Sequence, residues 1–195
     1  MYAGIFAEHG HELTVDEWQA AIGTQGGYDP AARLSSLTGR SFTTEQLYEV
    51  ARPRFIEHFD PTPLPGVVDR VREALDLGLR LAVATSSPGE RTSEHLASAG
   101  LGEAFEHVVG RFDVPAVKPA PFLYEEACRR LDVDPSEALA IEDSMHGVTS
   151  AKDAGLWCIA VPHDLTRSMD LSRADLIVDS LAEVTLAELV ERVAG

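Results

Sequence analysis

Apolar positions change their spacing partway along the chain. Over residues 1–62 they recur at helical intervals. Leu47, Val50, Ala51, Phe55 and Phe59 fall on one face of a helix. Two capping boxes mark helix starts: Thr14-x-x-Glu17 opens a helix through Trp18, and Thr43-x-x-Gln46 opens the helix that carries that face. Pro53 lies inside the second pattern and predicts a kink. Between them Gly23-Thr24-Gln25-Gly26-Gly27 reads as a flexible loop. The run Pro61-Thr62-Pro63-Leu64-Pro65-Gly66 then ends the helical part, because three prolines in six residues favour an extended linker.

Beyond the linker, short apolar runs alternate with helical patterns. The spacing predicts helices over 67–77, 87–100, 121–131, 145–154 and 181–193, the second capped by Ser87-x-x-Glu90. Strands are predicted over 79–85, 107–109, 138–141, 157–161 and 176–178. Such alternation means βαβ units and an α/β fold: a Rossmann-like parallel sheet with helices on both faces. The domains expected are residues 1–62 and 63–195.

Charge and composition narrow the function. The 195 residues carry a formal charge of −16, which argues against a nucleic-acid binder, since phosphate backbones need clustered Lys and Arg. Hydrophobic residues at 45% suit a globular chain rather than a disordered one. Two cysteines, Cys128 and Cys158, cannot build a disulfide framework and read as buried, reduced thiols. No basic start leads into an apolar run, and no apolar run approaches membrane-spanning length. The expectation is a cytoplasmic protein with no membrane partner.

In an open parallel sheet the ligand sits beyond the carboxyl ends of the strands. The strand at 79–85 ends in Ala84-Thr85-Ser86-Ser87-Pro88, hydroxyls just before a helix N-terminus, where backbone N–H groups favour an anion. Further on comes Val117-Lys118-Pro119-Ala120-Pro121, where Lys118 could bind phosphate as a point charge. The strand at 138–141 runs into Glu142-Asp143-Ser144, and adjacent carboxylates there suit a hard cation such as Mg²⁺. Taken singly, each also fits an ordinary role: an N-cap with extra serines, a solvated lysine, and helix capping by Asp143. Together, each after a successive strand, they assemble one phosphate-and-magnesium pocket.

This order resembles the haloacid dehalogenase superfamily of aspartate-dependent phosphatases. Its second motif is a strand ending in Thr or Ser, here Thr85. Its third is a Lys-Pro element, here Lys118-Pro119. Its fourth is an acidic pair, here in Ile141-Glu142-Asp143-Ser144-x-x-Gly147, followed by Ala151-x-x-Ala154-Gly155. The likeness is to the β-phosphoglucomutase and phosphoglycolate-phosphatase group, and it spans essentially the whole chain. It implies that residues 1–62 are a small helical cap. It also implies that Thr85, with the Ser86 backbone, holds a phosphoryl oxygen. Lys118 would bridge that group and the nucleophile, and Asp143 would ligate Mg²⁺ with Glu142 as a further or water-mediated ligand. The substrate implied is a small phosphorylated metabolite.

One departure matters. The family's first motif, Asp-x-Asp-x-Thr, supplies the nucleophile and general acid from a first, central strand, and no such motif occurs here. Asp132-Val133-Asp134 precedes Pro135 in a loop. Ile5-Phe6-Ala7-Glu8-His9-Gly10 looks like the end of the first cap helix, so about 20 residues of strand, loop and helix are expected upstream. Phe122 stands where relatives often carry an acidic residue. The chain is therefore expected to be inactive by itself, with weak metal affinity. A non-catalytic phospho-ligand or protein binder and a sugar-phosphate mutase stay open. His146, one turn past Asp143, reads as a solvated helix residue or a pocket residue. Trp18 and Tyr28 read as cap core or substrate contacts, and Glu188, Glu191 and Arg192 as a solvated face.

Overall fold

The computed structural model describes residues 2–19, 28–58 and 60–194. The chain divides into two units, Met1–Asp60 and Pro61–Gly195. The first is helical: α1 (Tyr2–Glu8), α2 (Val15–Gln19), α3 (Pro30–Thr38) and α4 (Thr44–His58). Both capping boxes form. The Thr14 amide donates to the Glu17 carboxylate at 3.1 Å, and the Glu17 amide returns to the Thr14 hydroxyl at 3.3 Å. Thr43 and Gln46 exchange the same pair at 2.9 and 3.2 Å. Ile5, Phe6, Ala31, Leu34, Leu47 and Ala51 share one core. The face predicted for α4 is thus partly right. Leu47 and Ala51 are buried, whereas Val50 is 49% exposed. The helix also continues through Pro53. Phe59 and the loop at 23–27 lie outside the described residues.

Within the part read as helical, a further helix that the sequence pattern did not single out forms at 30–38. Asp29 caps it by accepting from the Ala31 and Ala32 amides at 2.9 and 3.2 Å, and Pro30 supplies a helix-ready first residue.

The second unit alternates as expected: α5 (Val67–Asp76), β1 (Ala82–Ala84), α6 (Gly89–Ser98), β2 (His107–Val109), α7 (Phe122–Leu131), β3 (Leu139–Glu142), α8 (Met145–Asp153), β4 (Trp157–Ala160), β5 (Leu176–Ile177) and α9 (Leu186–Ala194). Every pairing is parallel. The strands form two ladders, β1–β2 and β3–β4–β5, which are not hydrogen-bonded to each other among the described residues. Helix α7 spans both. Its Leu123 and Ala127 pack with Val109 of the first ladder, and its Tyr124 and Cys128 with Ala140 and Cys158 of the second. Ala84 borders both clusters.

Three local expectations are corrected. The first strand shrinks from 79–85 to three residues. The Ser87-x-x-Glu90 box does not form, because Pro88 takes the cap position of α6 and no side chain bonds there. The last helix is not continuous over 181–193. A short 3₁₀ turn at Leu181–Glu183 ends at extended Val184, and α9 starts afresh. Thr185 restarts it, its hydroxyl accepting from the Glu188 amide at 3.2 Å while its own amide donates to the Glu188 carboxylate at 2.7 Å.

Candidate functional site

Each predicted residue follows the carboxyl end of a parallel strand or precedes the helix after it. Thr85 extends β1: its amide donates to the Val109 carbonyl at 2.9 Å, prolonging the ladder by one residue. Its hydroxyl accepts from the Ser87 amide at 3.1 Å, which curls the chain toward α6. The Arg111 amide donates to the Ser87 carbonyl at 3.0 Å and pins the loop from the β2 side. This close approach needs glycine. A Cβ on Gly110 would meet the backbone of Gly89 at 2.4 Å. Thr85 and Ser86 are half-buried, and the N-terminus of α6 lies just beyond them.

Lys118 is buried, with 8% of its surface exposed. A buried ammonium needs a partner, and it has two. Its Nζ donates to Glu142 Oε1, and it lies 5.0 Å from the centre of the Tyr124 ring. The solvated-lysine alternative is thereby excluded. Glu142, the last residue of β3, is equally buried and also accepts from the Tyr124 hydroxyl. Burial first, and then the Glu142 charge, push the Tyr124 phenol well above the ordinary tyrosine range, so it stays a donor. The sequence reading missed Tyr124. Its only signal was a polar aromatic two positions into the α7 core stripe.

Gly147 completes this cluster. It is buried on the first turn of α8, and a Cβ there would fall inside the Glu142 carboxylate. The glycine in Ile141-Glu142-Asp143-Ser144-x-x-Gly147 is thus the space that Glu142 occupies.

Asp143 is placed differently. Its side chain is 50% exposed, with Oδ2 3.3 Å from Nε2 of His163. It does not cap α8; Ser144 does, its hydroxyl accepting from the Gly147 amide at 3.2 Å. That leaves the Asp143 carboxylate available. His146 sits half-buried on the first turn of α8. His163, in the segment after β4, was missed by the sequence reading.

The structure therefore joins Lys118 to Glu142 directly and sets Asp143 beside them. Thr85 and Ser86 stand at the end of the other ladder, linked through α7. Asp132 and Asp134 lie elsewhere. Asp132 closes α7 in the left-handed region at φ 52°, and Asp134 caps the 3₁₀ turn before β3, so neither follows a strand. Both thiols are free and buried. Burial raises Cys128, and raises Cys158 to about 12, so neither is a nucleophile at neutral pH. In the helical unit Trp18 packs edge-on against Tyr2 at 6.3 Å. Burial pushes the Tyr28 phenol up to about 12.

Among the described residues no three His, Cys, Asp or Glu side chains gather as a metal-binding group. Mg²⁺ nevertheless needs only one or two carboxylates when water and phosphate complete its shell. Asp143 fits as one ligand. Glu142 is engaged by Lys118 and Tyr124 instead.

The model of the haloacid dehalogenase-like hydrolases matches residues 5–161, and the chain belongs to that family. YhcW of Bacillus subtilis is 38% identical over 188 residues, covering 96% of this chain and 86% of the relative. The validoxylamine A 7'-phosphate phosphatase of Streptomyces hygroscopicus is 27% identical over 186 residues, covering 94% and 85%. The crystal structure of a CbbY variant from Rhodobacter sphaeroides, in complex with xylulose-(1,5)bisphosphate, superposes with a TM-score of 0.75 at 31% identity. That match covers 96% of this chain and 89% of CbbY. No helix among the described residues is long and apolar enough to cross a membrane.

Proposed function

We propose that the protein is a Mg²⁺-dependent phosphatase of a small phosphorylated metabolite. In this reading an upstream strand outside these 195 residues supplies the aspartate nucleophile. The observation that carries the reading is the buried Lys118–Glu142 pair at the end of β3, with Asp143 open beside it. A lysine fixed this way presents a positive charge at a set place. Thr85 and the Ser86 backbone would hold phosphoryl oxygens at the N-terminus of α6. Lys118 would neutralise the transferred group, and Asp143 would hold the cation. When bound, Mg²⁺ would supply charge stabilisation at phosphorus. The helical unit would serve as the cap that selects the substrate. Two buried free thiols support a reducing, cytoplasmic setting.

The upstream strand is supported by the division of the sheet. Among the described residues, β1 and β3 each leave an edge that the other ladder does not pair. The named phosphatase and the sugar-bisphosphate complex among the relatives support a small phosphorylated substrate. A second reading, a non-catalytic binder of phosphorylated ligands or of a partner protein, is favoured by the missing Asp-x-Asp-x-Thr motif.

One experiment separates them. Phosphate release from an aryl phosphate is measured with the 195-residue chain and with a chain extended at its N-terminus by an apolar strand ending in Asp-x-Asp-x-Thr. The expected outcome is no Mg²⁺-dependent turnover in the first and turnover in the second. Turnover by the 195-residue chain that Lys118→Ala abolishes would sink the upstream nucleophile. A folded but inactive extended chain would favour the binder.

A further inference from the structure

His163 is held in one tautomer by its own loop. The Leu165 amide donates to His163 Nδ1 at 3.3 Å, so that nitrogen is an acceptor and the neutral ring carries its proton on Nε2. The loop is fixed from beneath by Thr166, which is fully buried. Its hydroxyl accepts from the His163 amide at 3.1 Å and donates to the His163 carbonyl at 3.4 Å, while its amide donates to that carbonyl at 2.9 Å. The other ring nitrogen is the one nearest Asp143: Nε2 lies 3.3 Å from Oδ2, a close polar contact. The segment follows directly from β4, whose Ala160 pairs in register with Glu142, so Asp143 and His163 both lie just beyond the same end of the sheet. Val161 ties the ends together by donating its amide to the Glu142 carbonyl at 2.7 Å.

We propose that His163 is a positioning residue for Asp143. Its Nε2–H holds Oδ2 and turns the other carboxylate oxygen outward as the cation ligand. The inference rests on the reading of Asp143 as the metal-holding residue. Its physical logic is that an exposed carboxylate rotates freely, and a fixed donor on one oxygen removes that freedom before the cation arrives. Partners of this kind typically change metal affinity by about 10- to 100-fold when removed.

Two measurements on the full chain test it. Long-range ¹H–¹⁵N correlation on the histidine rings is expected to report the Nε2–H tautomer for His163, with a signal that moves in Asp143→Asn. An Nδ1–H tautomer, or a His163 signal indifferent to Asp143→Asn, overturns the positioning. Mn²⁺ titration followed by electron paramagnetic resonance is the second measurement, with Asp143→Ala defining the site. His163→Ala is expected to weaken that site about tenfold, and His163→Gln, which keeps an N–H donor, to recover most of the loss. If Asp143→Ala weakens Mn²⁺ but His163→Ala does not, positioning fails and the metal reading stands. If Asp143→Ala changes nothing, the metal reading of Asp143 fails, and the inference with it. Unchanged thermal melting of each variant excludes misfolding as the cause.

Discussion

Glu142 and Asp143 are neighbours in the chain and opposites in environment. The region around Glu142 is closed: lysine, tyrosine and glycine pack against the carboxylate, and the residue is 7% exposed. The region around Asp143 is open, with one histidine contact and a half-exposed side chain. Strand alternation produces the split. In β3, Ala140 and Glu142 are buried while Ile141 is exposed. An acidic pair at a strand end is therefore two different groups. The first carboxylate fixes a cation of the protein, and the second stays half exposed to solvent.

The largest break in that comparison comes from Lys118→Ala. It leaves Glu142 buried without its charge partner, and removing one member of a buried pair costs about 3–5 kcal/mol. Urea denaturation should show it. The double change Lys118→Met with Glu142→Leu should recover most of the loss, because no charge is then stranded. Equal loss in the single and double variants would mean that packing, not charge, dominates.

Tyr124→Phe should be milder. It keeps the ring beneath Lys118 and removes only the hydroxyl that bonds Glu142, a loss of about 1–2 kcal/mol. A stability equal to wild type would show that Lys118 alone satisfies the carboxylate.

A smaller effect appears in acid. The Arg129 and Arg130 guanidiniums bond Glu126 and hold its carboxyl at about 2. The folded value lies below the ordinary 4.5, so this contribution is present above that value and is lost as pH falls toward 2. Urea midpoints from pH 6 to 3 should fall more steeply for wild type than for Glu126→Gln. Parallel curves would remove Glu126 from the account.

The smallest effect belongs to Asp143→Asn. An open carboxylate outside the packed cluster should change stability by less than about 0.5 kcal/mol. A loss comparable to that of Lys118→Ala would mean that Asp143 is a structural residue like its neighbour.

The candidate site was partly legible in the sequence. Thr85, Lys118, Glu142 and Asp143 could be picked because each stands where a strand pattern meets a helix pattern, and such junctions follow from local periodicity. The Thr14 and Thr43 boxes were legible for the same reason, since donor and acceptor are three residues apart. The Asp29-Pro30 start of α3 was equally local and was overlooked. Ser87 failed as a cap because Pro88 takes the cap position of α6, and the Arg111 amide that pins the Ser87 carbonyl is a contact no local rule anticipates. Val50 was assigned to a buried face from periodicity alone, which cannot tell how wide the covered stripe is.

What the sequence determined by itself was the order of elements, the α/β class and the chemical inventory at the strand ends. These follow from spacing, caps and turn residues that act over a few positions. What only the tertiary structure decided was the use of that inventory. Tyr124 meets Glu142 across 18 residues of chain, and Lys118 meets it across 24. His163 meets Asp143 only because β4 lies in register beside β3. Burial then assigns the roles. A carboxylate closed off from water must take a partner from the protein, whereas one left in water is solvated and need not.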